Sequence, residues 1–272
     1  MAAKNPQSNS KSKFRGQAIK PEARELRLLG KVAVVTGGSR GIGYAIAHTL
    51  AAEGSSVVIA GRDESALAGS AARISKSLST RLRSAKRRKQ IVALTCDVRD
   101  AESVASLFAA VKQRFGKIDV LVNNAGITQP TLTVEDTTLE LWRDVIDTNL
   151  TGTFLCTRAA LPMMPAGATI INNLSAAAKQ VFPKYATYSA AKRGALGFTL
   201  SLRQELIPRG IRVVALMPGA TATDMWDQIM PDAPRERMLN VDSVAEAVLY
   251  AVLLPPNANL SELLLEPAGG AL

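Results

Sequence analysis

Tyr188 and Lys192 stand four residues apart in Y-S-A-A-K, and Ser175 lies thirteen positions before the tyrosine. Four residues is close to one helical turn, so on a helix the phenol and the ammonium project from one face. A phenol titrates near ~10 when unperturbed, and a cation beside it favours the phenolate, which lowers that value toward working pH. A proton donor tuned in this way suits carbonyl reduction, and its conjugate base suits the reverse reaction. Far upstream, T-G-G-S-R-G-I-G at residues 36–43 is a glycine run of the kind that lets backbone approach a phosphate closely. It lacks the Gly-Lys-Ser/Thr ending of a P-loop, which argues against a nucleoside triphosphatase.

The elements needed to position these groups are legible in the hydrophobic pattern. Short apolar runs at 32–36, 57–60, 91–95, 118–122, 168–173, 211–216 and 262–266 read as strands. Helical patterns lie between them, at 41–53, 101–115, 137–163, 187–207 and 241–254. Regular alternation of this kind predicts an α/β fold of the Rossmann type, a doubly wound parallel sheet of about seven strands with helices on both faces. In such sheets ligands bind beyond the carboxyl ends of the strands. Residues 36–43, 61–62, 97–98, 123–126, Ser175 and 218–225 all follow directly on strand runs.

Composition narrows the options. A chain of 272 residues that is 47% hydrophobic can bury one large core. A single domain over residues 30–272 is expected, preceded by a basic, disordered extension at 1–29. No stretch has the length and apolarity of a membrane span, and the N-terminus has no apolar signal core, so a cytoplasmic protein is expected unless the extension is an organelle transit peptide. His48 is the only histidine, which removes a histidine-based triad or a zinc-histidine cluster, and no metal is expected. Cys96 and Cys156 are too few for a disulfide framework and read as buried apolar residues. The net charge of +10 is unevenly placed: the extension holds +5 and a basic insertion at 73–89 holds +8, which leaves the remainder at −3. Without interleaved aromatics, these basic stretches are expected to be solvated, and nucleic-acid binding is disfavoured.

Taken together, the motifs resemble the short-chain dehydrogenase/reductase family over residues 30 to about 267. Thr36, Gly37, Gly41 and Gly43 match its T-G-x-x-x-G-x-G, residues 123–126 its N-N-A-G, Tyr188 and Lys192 its Y-x-x-x-K, and Pro218, Gly219 and Thr223 its P-G-x-x-x-T. The resemblance implies that Tyr188 protonates a carbonyl oxygen while hydride leaves a nicotinamide. It further implies that Lys192 lowers the Tyr188 pKa and holds the nicotinamide ribose, that Ser175 bonds the carbonyl, and that Asn149 positions a water next to the lysine. For the cofactor it implies a binding loop of Thr36, Gly37, Ser39, Arg40, Gly41, Ile42 and Gly43 that cradles the pyrophosphate. Asp97 and Val98 would meet the adenine, and Asn123, Ala125 and Gly126 the ribose. Thr221 and Thr223, after Pro218 and Gly219, would hold the carboxamide and pyrophosphate.

Relatives that prefer NAD place an acidic residue where Gly61 stands. Here Arg62 follows instead, with Arg40 in the glycine loop, and two guanidinium groups suit a ribose 2′-phosphate. NADP(H) is therefore expected over NAD(H), with Asp63 as the one carboxylate close enough to compete. The glycine-loop region resembles that of 3-oxoacyl-carrier-protein reductases, and an apolar wall of Ala176, Ala177, Val181, Phe182, Trp226, Met230 and Met238 would admit an acyl chain or another apolar carbonyl. Small residues such as Ala159, Ala160, Ala190, Ala191 and Ala195 lie on helices that pair across subunits in relatives, so a homodimer or homotetramer is expected. The alternative is a non-catalytic NADP(H)-binding sensor or scaffold acting through the basic tail.

Overall fold

In a computed structural model, which describes residues 26–78 and 90–270, seven parallel strands form one sheet in the order β3-β2-β1-β4-β5-β6-β7. They are β1 (Val32–Thr36), β2 (Ser56–Gly61), β3 (Ile91–Thr95), β4 (Val120–Asn123), β5 (Thr169–Asn173), β6 (Arg212–Pro218) and β7 (Glu262–Leu265). The β-branched runs form strands because both faces of the sheet are covered, so every position in β1 is buried. Alternate side chains enter opposite cores: Ala33 and Val35 join one cluster, and Val34 joins the other.

The first cluster packs α1 (Gly41–Ala52), α2 (Glu64–Leu78) and α7 (Val241–Leu253) on one face. On the other lie α3 (Ala101–Phe115), α5 (Gly152–Ala160) and α6 (Ala186–Leu206). Fully buried side chains such as Ile46 and Leu50 of α1 each contribute roughly 1.5–3 kcal/mol by leaving water. Helix α3 is delimited by its own chemistry: Asp100 accepts from the backbone N–H groups of Glu102 and Ser103, and Gly116 ends it with φ +71°.

The chain winds outward from β1 to β3, then returns to place β4 on the other side of β1. The reversal opens a crevice between the carboxyl ends of β1 and β4, where a doubly wound sheet binds its ligand.

Three features depart from the sequence reading. The pattern over 137–163 is not one regular helix: α4 (Leu139–Ile146) passes through a π turn at Asp147–Thr151 into α5, with a 3₁₀ turn at Leu161–Met163. Asn149 sits in that turn and donates to the Val145 carbonyl at 2.9 Å, so a side-chain amide occupies an acceptor of the helical ladder and the register widens. Helix α2 was not anticipated, and it takes in the first part of the basic insertion through Leu78; residues 79–89 lie outside the described residues. The domain also begins earlier than residue 30. Leu28 is buried in the core and its N–H donates to the Glu53 carbonyl at 2.8 Å, because an apolar side chain beside β1 closes the end of α1. The expected disorder of the extension concerns residues that, up to 25, are outside the description.

Candidate active site

The glycine loop takes its shape from close contacts. Gly37 has φ +64°, which an L side chain rarely adopts. At Gly43 a Cβ would lie 2.2 Å from the Gly37 carbonyl oxygen, so only glycine lets α1 start this close to β1. The N-cap residue of α1, Arg40, makes no side-chain capping bond, which leaves the N-terminal N–H groups free to meet an anion. A dinucleotide pyrophosphate fits such a cradle. Thr36, assigned to the cofactor from sequence, turns instead toward the loop after β4, and its hydroxyl accepts from the N–H groups of Asn124 and Ala125, each at 3.0 Å. Asn124 answers by donating to the carbonyls of Thr36 and Gly37, at 3.0 and 3.1 Å. The two loops that flank the crevice are thus fastened together.

Arg40, in the glycine loop, and Arg62, directly after Gly61 at the end of β2, are both exposed. The competing carboxylate, Asp63, is committed elsewhere: it accepts from the Ala66 N–H and the Ser65 hydroxyl, both at 2.9 Å, at the start of α2. Those two bonds, the backbone one foremost, hold it below the usual carboxylate range, with a smaller contribution from Arg40. Ser70 of α2 donates to the Ser39 carbonyl at 2.6 Å and so holds the residue before Arg40. Arg73 donates to Ser70 at 2.8 Å and lies 4.9 Å from the Tyr44 ring centroid. His48, the one histidine of the sequence, is half-buried, stacks on Tyr44 and lies 3.0 Å from the Ser77 hydroxyl.

Two assignments change in character here. Asp97 was read as an acceptor for adenine, but Arg99, two residues on, reaches back to fork both carboxylate oxygens at 2.7–3.1 Å and also reaches Asp144 at 2.9 Å. The Arg99 hydrogen bonds hold Asp97 well below the usual range, with a minor charge contribution from Arg62. Asn123 is buried and its amide donates to Thr157 and Asn172, at 2.9 and 2.8 Å, so its side chain braces β4 against β5 and α5. Val98 is buried against Gly152, where a Cβ would approach its Cγ2 to 2.7 Å. On the opposite rim, Gly219 follows Pro218, the last residue of β6. The Thr221 hydroxyl donates to the Gly219 carbonyl at 3.0 Å, and Thr223 lies across from Gly41, within 3.3 Å of where a Cβ would stand.

Between these loops the structure brings Asn149, Ser175, Tyr188 and Lys192 together. Tyr188 and Lys192 share one face of α6, with the lysine Nζ 5.4 Å from the Tyr188 ring centroid. The Ser175 hydroxyl accepts from the Ala177 N–H at 3.1 Å and is near enough to the phenol to lower its pKa. Lys192 is buried and donates to the Asn173 carbonyl at 3.2 Å. Asn149 donates to the Ile127 carbonyl at 2.9 Å, while its buried Oδ1 has no protein partner. A Cβ at Gly126 would be 2.7 Å from that oxygen and 3.6 Å from Lys192 Nζ, so the amide and the ammonium converge beside this glycine.

Protonation differs from the sequence expectation. Desolvation pushes the Tyr188 phenol up to about 12, against a lowering by Ser175 and with a further rise from Tyr185. Burial pushes the Lys192 ammonium down to about 8. The cation does not depress the phenol in this state, because burial penalises both charged forms and dominates the 5.4 Å approach. At neutral pH the site therefore holds a neutral phenol beside an ammonium, the pair that can give a proton to a carbonyl oxygen. Cys96 and Cys156 are buried as expected, and burial pushes both thiols up, away from the thiolate.

A family model described as short chain dehydrogenase matches residues 31–234. The chain belongs to the short-chain dehydrogenase/reductase family. It is an oxidoreductase of the kind that acts on C=O and CH–OH groups. A 3-oxoacyl-[acyl-carrier-protein] reductase of Synechocystis is 38% identical over 241 residues, covering 86% of this chain and 94% of that protein. A short chain dehydrogenase from Burkholderia cenocepacia, in complex with NADP, superposes with a TM-score of 0.77 at 32% identity, covering 89% of this chain and 98% of that one. A 3-ketoacyl-(acyl-carrier-protein) reductase from Brucella melitensis, complexed with NADH, gives the same TM-score at 30% identity and the same coverage. The short-chain dehydrogenase/reductase fold thus accounts for the sheet order and the crevice.

Several residues of this site had no individual role assigned from the sequence. Asn124 and Asn173 are joined at 2.8 Å across β4 and β5, and they tie the glycine loop to the strand that carries Ser175. Gln129 is fully buried against the start of α6, and Tyr185 packs edge-on to Tyr188 with centroids 6.5 Å apart. Only the side-chain amides clustered at strand ends, N-N at both 123–124 and 172–173, offered a hint.

Proposed function

We propose that this protein is an NADP(H)-dependent oxidoreductase that interconverts a carbonyl and a secondary alcohol, with Tyr188 as general acid and base. The observation that carries the reading is the meeting of Ser175, Tyr188, Lys192 and Asn149 beside the glycine cradle, at the carboxyl edge of the sheet. When bound, the dinucleotide supplies a hydride to the carbonyl carbon or takes one from the alcohol. Tyr188, neutral at physiological pH, gives its proton to the carbonyl oxygen as charge develops there, and Ser175 donates a second hydrogen bond to that oxygen. Lys192 stays cationic up to about pH 8 and stabilises the phenolate left behind. The unpartnered Asn149 oxygen, converging with Lys192, suits a water that returns a proton to the site. In the oxidative direction Tyr188 acts as the base and must first lose its proton.

Arg40 and Arg62 bind the 2′-phosphate on this reading, which the diversion of Asp63 to α2 supports. Substrate choice follows the crevice wall. Ala176 and Ala177, directly after Ser175, are buried, and the apolar Val181, Met225 and Met230 are exposed on the segments that follow Ser175 and β6. Together with the named relatives, this supports a 3-oxoacyl thioester as the carbonyl substrate. A homodimer or homotetramer through α5 and α6 is consistent with Phe154 and Trp142, exposed on α5 and the neighbouring α4. Among the described residues no helix is long and apolar enough to cross a membrane, and no cluster could hold a metal ion.

The experiment is a panel of initial rates, with NADPH and NADH, against a 3-oxoacyl thioester, a small diketone and a cyclic ketone. Turnover with the thioester and preference for NADPH are expected. Tight NADPH binding with no turnover on any carbonyl would favour the sensor alternative.

A further inference from the structure

Helix α6 carries Tyr188 in its first turn, yet it starts without a cap of its own: the side chain of its N-cap residue, Tyr185, makes no capping hydrogen bond. The first N–H groups of a helix need an acceptor from elsewhere, and one comes from another loop. Gln129, six residues past Asn123 and 1% exposed, accepts from the Tyr188 N–H at 2.8 Å through its Oε1. Its Nε2 donates to the Lys184 carbonyl at 3.1 Å, so both ends of the buried amide are used. Lys184 has φ +64° and is the only non-glycine residue with positive φ among the described residues. Its carbonyl also accepts from the Leu132 N–H at 3.2 Å, so two bonds hold this strained turn directly before the helix. The same loop is tied at Ile127 to Asn149, and Thr131 reaches the Tyr185 hydroxyl at 3.5 Å.

We propose that Gln129 is a positioning residue for the reaction: it caps α6 from the loop after β4, and thereby fixes Tyr188 relative to Ser175 and to the substrate crevice. No other side chain is bonded to the backbone N–H of Tyr188 among the described residues. A carboxamide is required because one acceptor and one donor must face in fixed directions, toward the Tyr188 N–H and the Lys184 carbonyl. A protonated carboxyl can imitate that pair; a carboxylate presents only acceptors and opposes the Lys184 carbonyl.

This inference rests on Tyr188 being the proton donor, so Tyr188→Phe is measured in parallel. The variants are Gln129→Met, similar in size without either bond, and Gln129→Glu. Rates with NADPH and a 3-oxoacyl thioester are expressed per NADPH-binding site, counted by titration of NADPH fluorescence, so that any unfolded fraction drops out. Gln129→Met should lower kcat 10- to 100-fold with NADPH affinity within threefold of wild type. Gln129→Glu should recover to within threefold of wild-type kcat at acid pH and lose activity as its carboxyl ionises, adding a descending limb that the wild type lacks. A kcat per binding site that is unchanged in Gln129→Met, or a flat profile for Gln129→Glu, overturns the proposal. If Tyr188→Phe retains wild-type turnover, the reading of Tyr188 has failed, and this inference fails with it.

Discussion

Replacing Gly61 by aspartate should reverse the cofactor preference. A Cβ at this position would meet nothing nearer than Leu67 Cδ2 at 3.7 Å, and the backbone is not in the left-handed region, so the side chain enters without strain. The new carboxylate would stand at the end of β2, next to Arg62 in the chain, while Asp63 is held at the start of α2. A charge-assisted hydrogen bond to a phosphate is worth about 1.5–3 kcal/mol. Drawing one guanidinium away and adding repulsion toward the phosphate removes about 3–4 kcal/mol, a 100- to 1000-fold weakening of NADPH. A ribose diol gains roughly 1 kcal/mol, about fivefold for NADH. Dissociation constants for both nucleotides, measured by fluorescence titration at fixed ionic strength, report the ratio directly. A ratio within threefold of wild type in a folded variant would refute the assignment of Arg40 and Arg62 to the 2′-phosphate.

Other perturbations follow from the same geometry. Lys192→Met should abolish reduction while stabilising the fold. Below about pH 8 the lysine is charged in both states and its burial opposes folding, and that penalty fades as pH rises toward its ordinary 10.5. Removing it is worth about 3 kcal/mol at pH 7 less the bond to Asn173, so thermal unfolding should rise by a few degrees; an unfolding midpoint that falls contradicts this. The rate of reduction should hold steady to near pH 8 and decline above it as Lys192 loses its proton, whereas Tyr188, pushed up to about 12, should impose no limit below pH 10. Wild-type stability should begin to fall above pH 10, where the unfolded phenol ionises and the buried one does not. Ser70→Ala should weaken NADPH by about fivefold, from roughly 1 kcal/mol lost at the Ser39 carbonyl, with little change for NADH. Gly43→Ala puts a methyl 2.2 Å from the Gly37 oxygen and should eliminate NADPH binding, which titration against the wild type would detect.

The seven strands were legible because each is a short apolar run, and the central ones are β-branched and buried on both faces, where period and length leave little choice. The candidate catalytic residues were legible for a different reason: their types and spacing are unusual together. Helix α2 escaped notice because its polar face dominates its composition; only Leu67, Ser70, Ile74 and Leu78 are buried. The π turn at Asn149 escaped because it depends on where one side-chain amide points, which no periodicity encodes. For Thr36, Asn123 and Asp97 the sequence pattern showed their place at strand ends but not the protein partners that each side chain also has. The lowered phenol pKa expected from the Y-x-x-x-K spacing failed on magnitude, since desolvation outweighs a cation that is itself buried.

The most direct test of the central claim is single-turnover hydride transfer from bound NADPH to a 3-oxoacyl thioester, in wild type and in Tyr188→Phe, with NADPH affinity measured on both. General acid catalysis contributes about 10²–10⁴-fold, so the account predicts a loss of that size in Tyr188→Phe with affinity unchanged. A Tyr188→Phe protein that transfers hydride at the wild-type rate would contradict it.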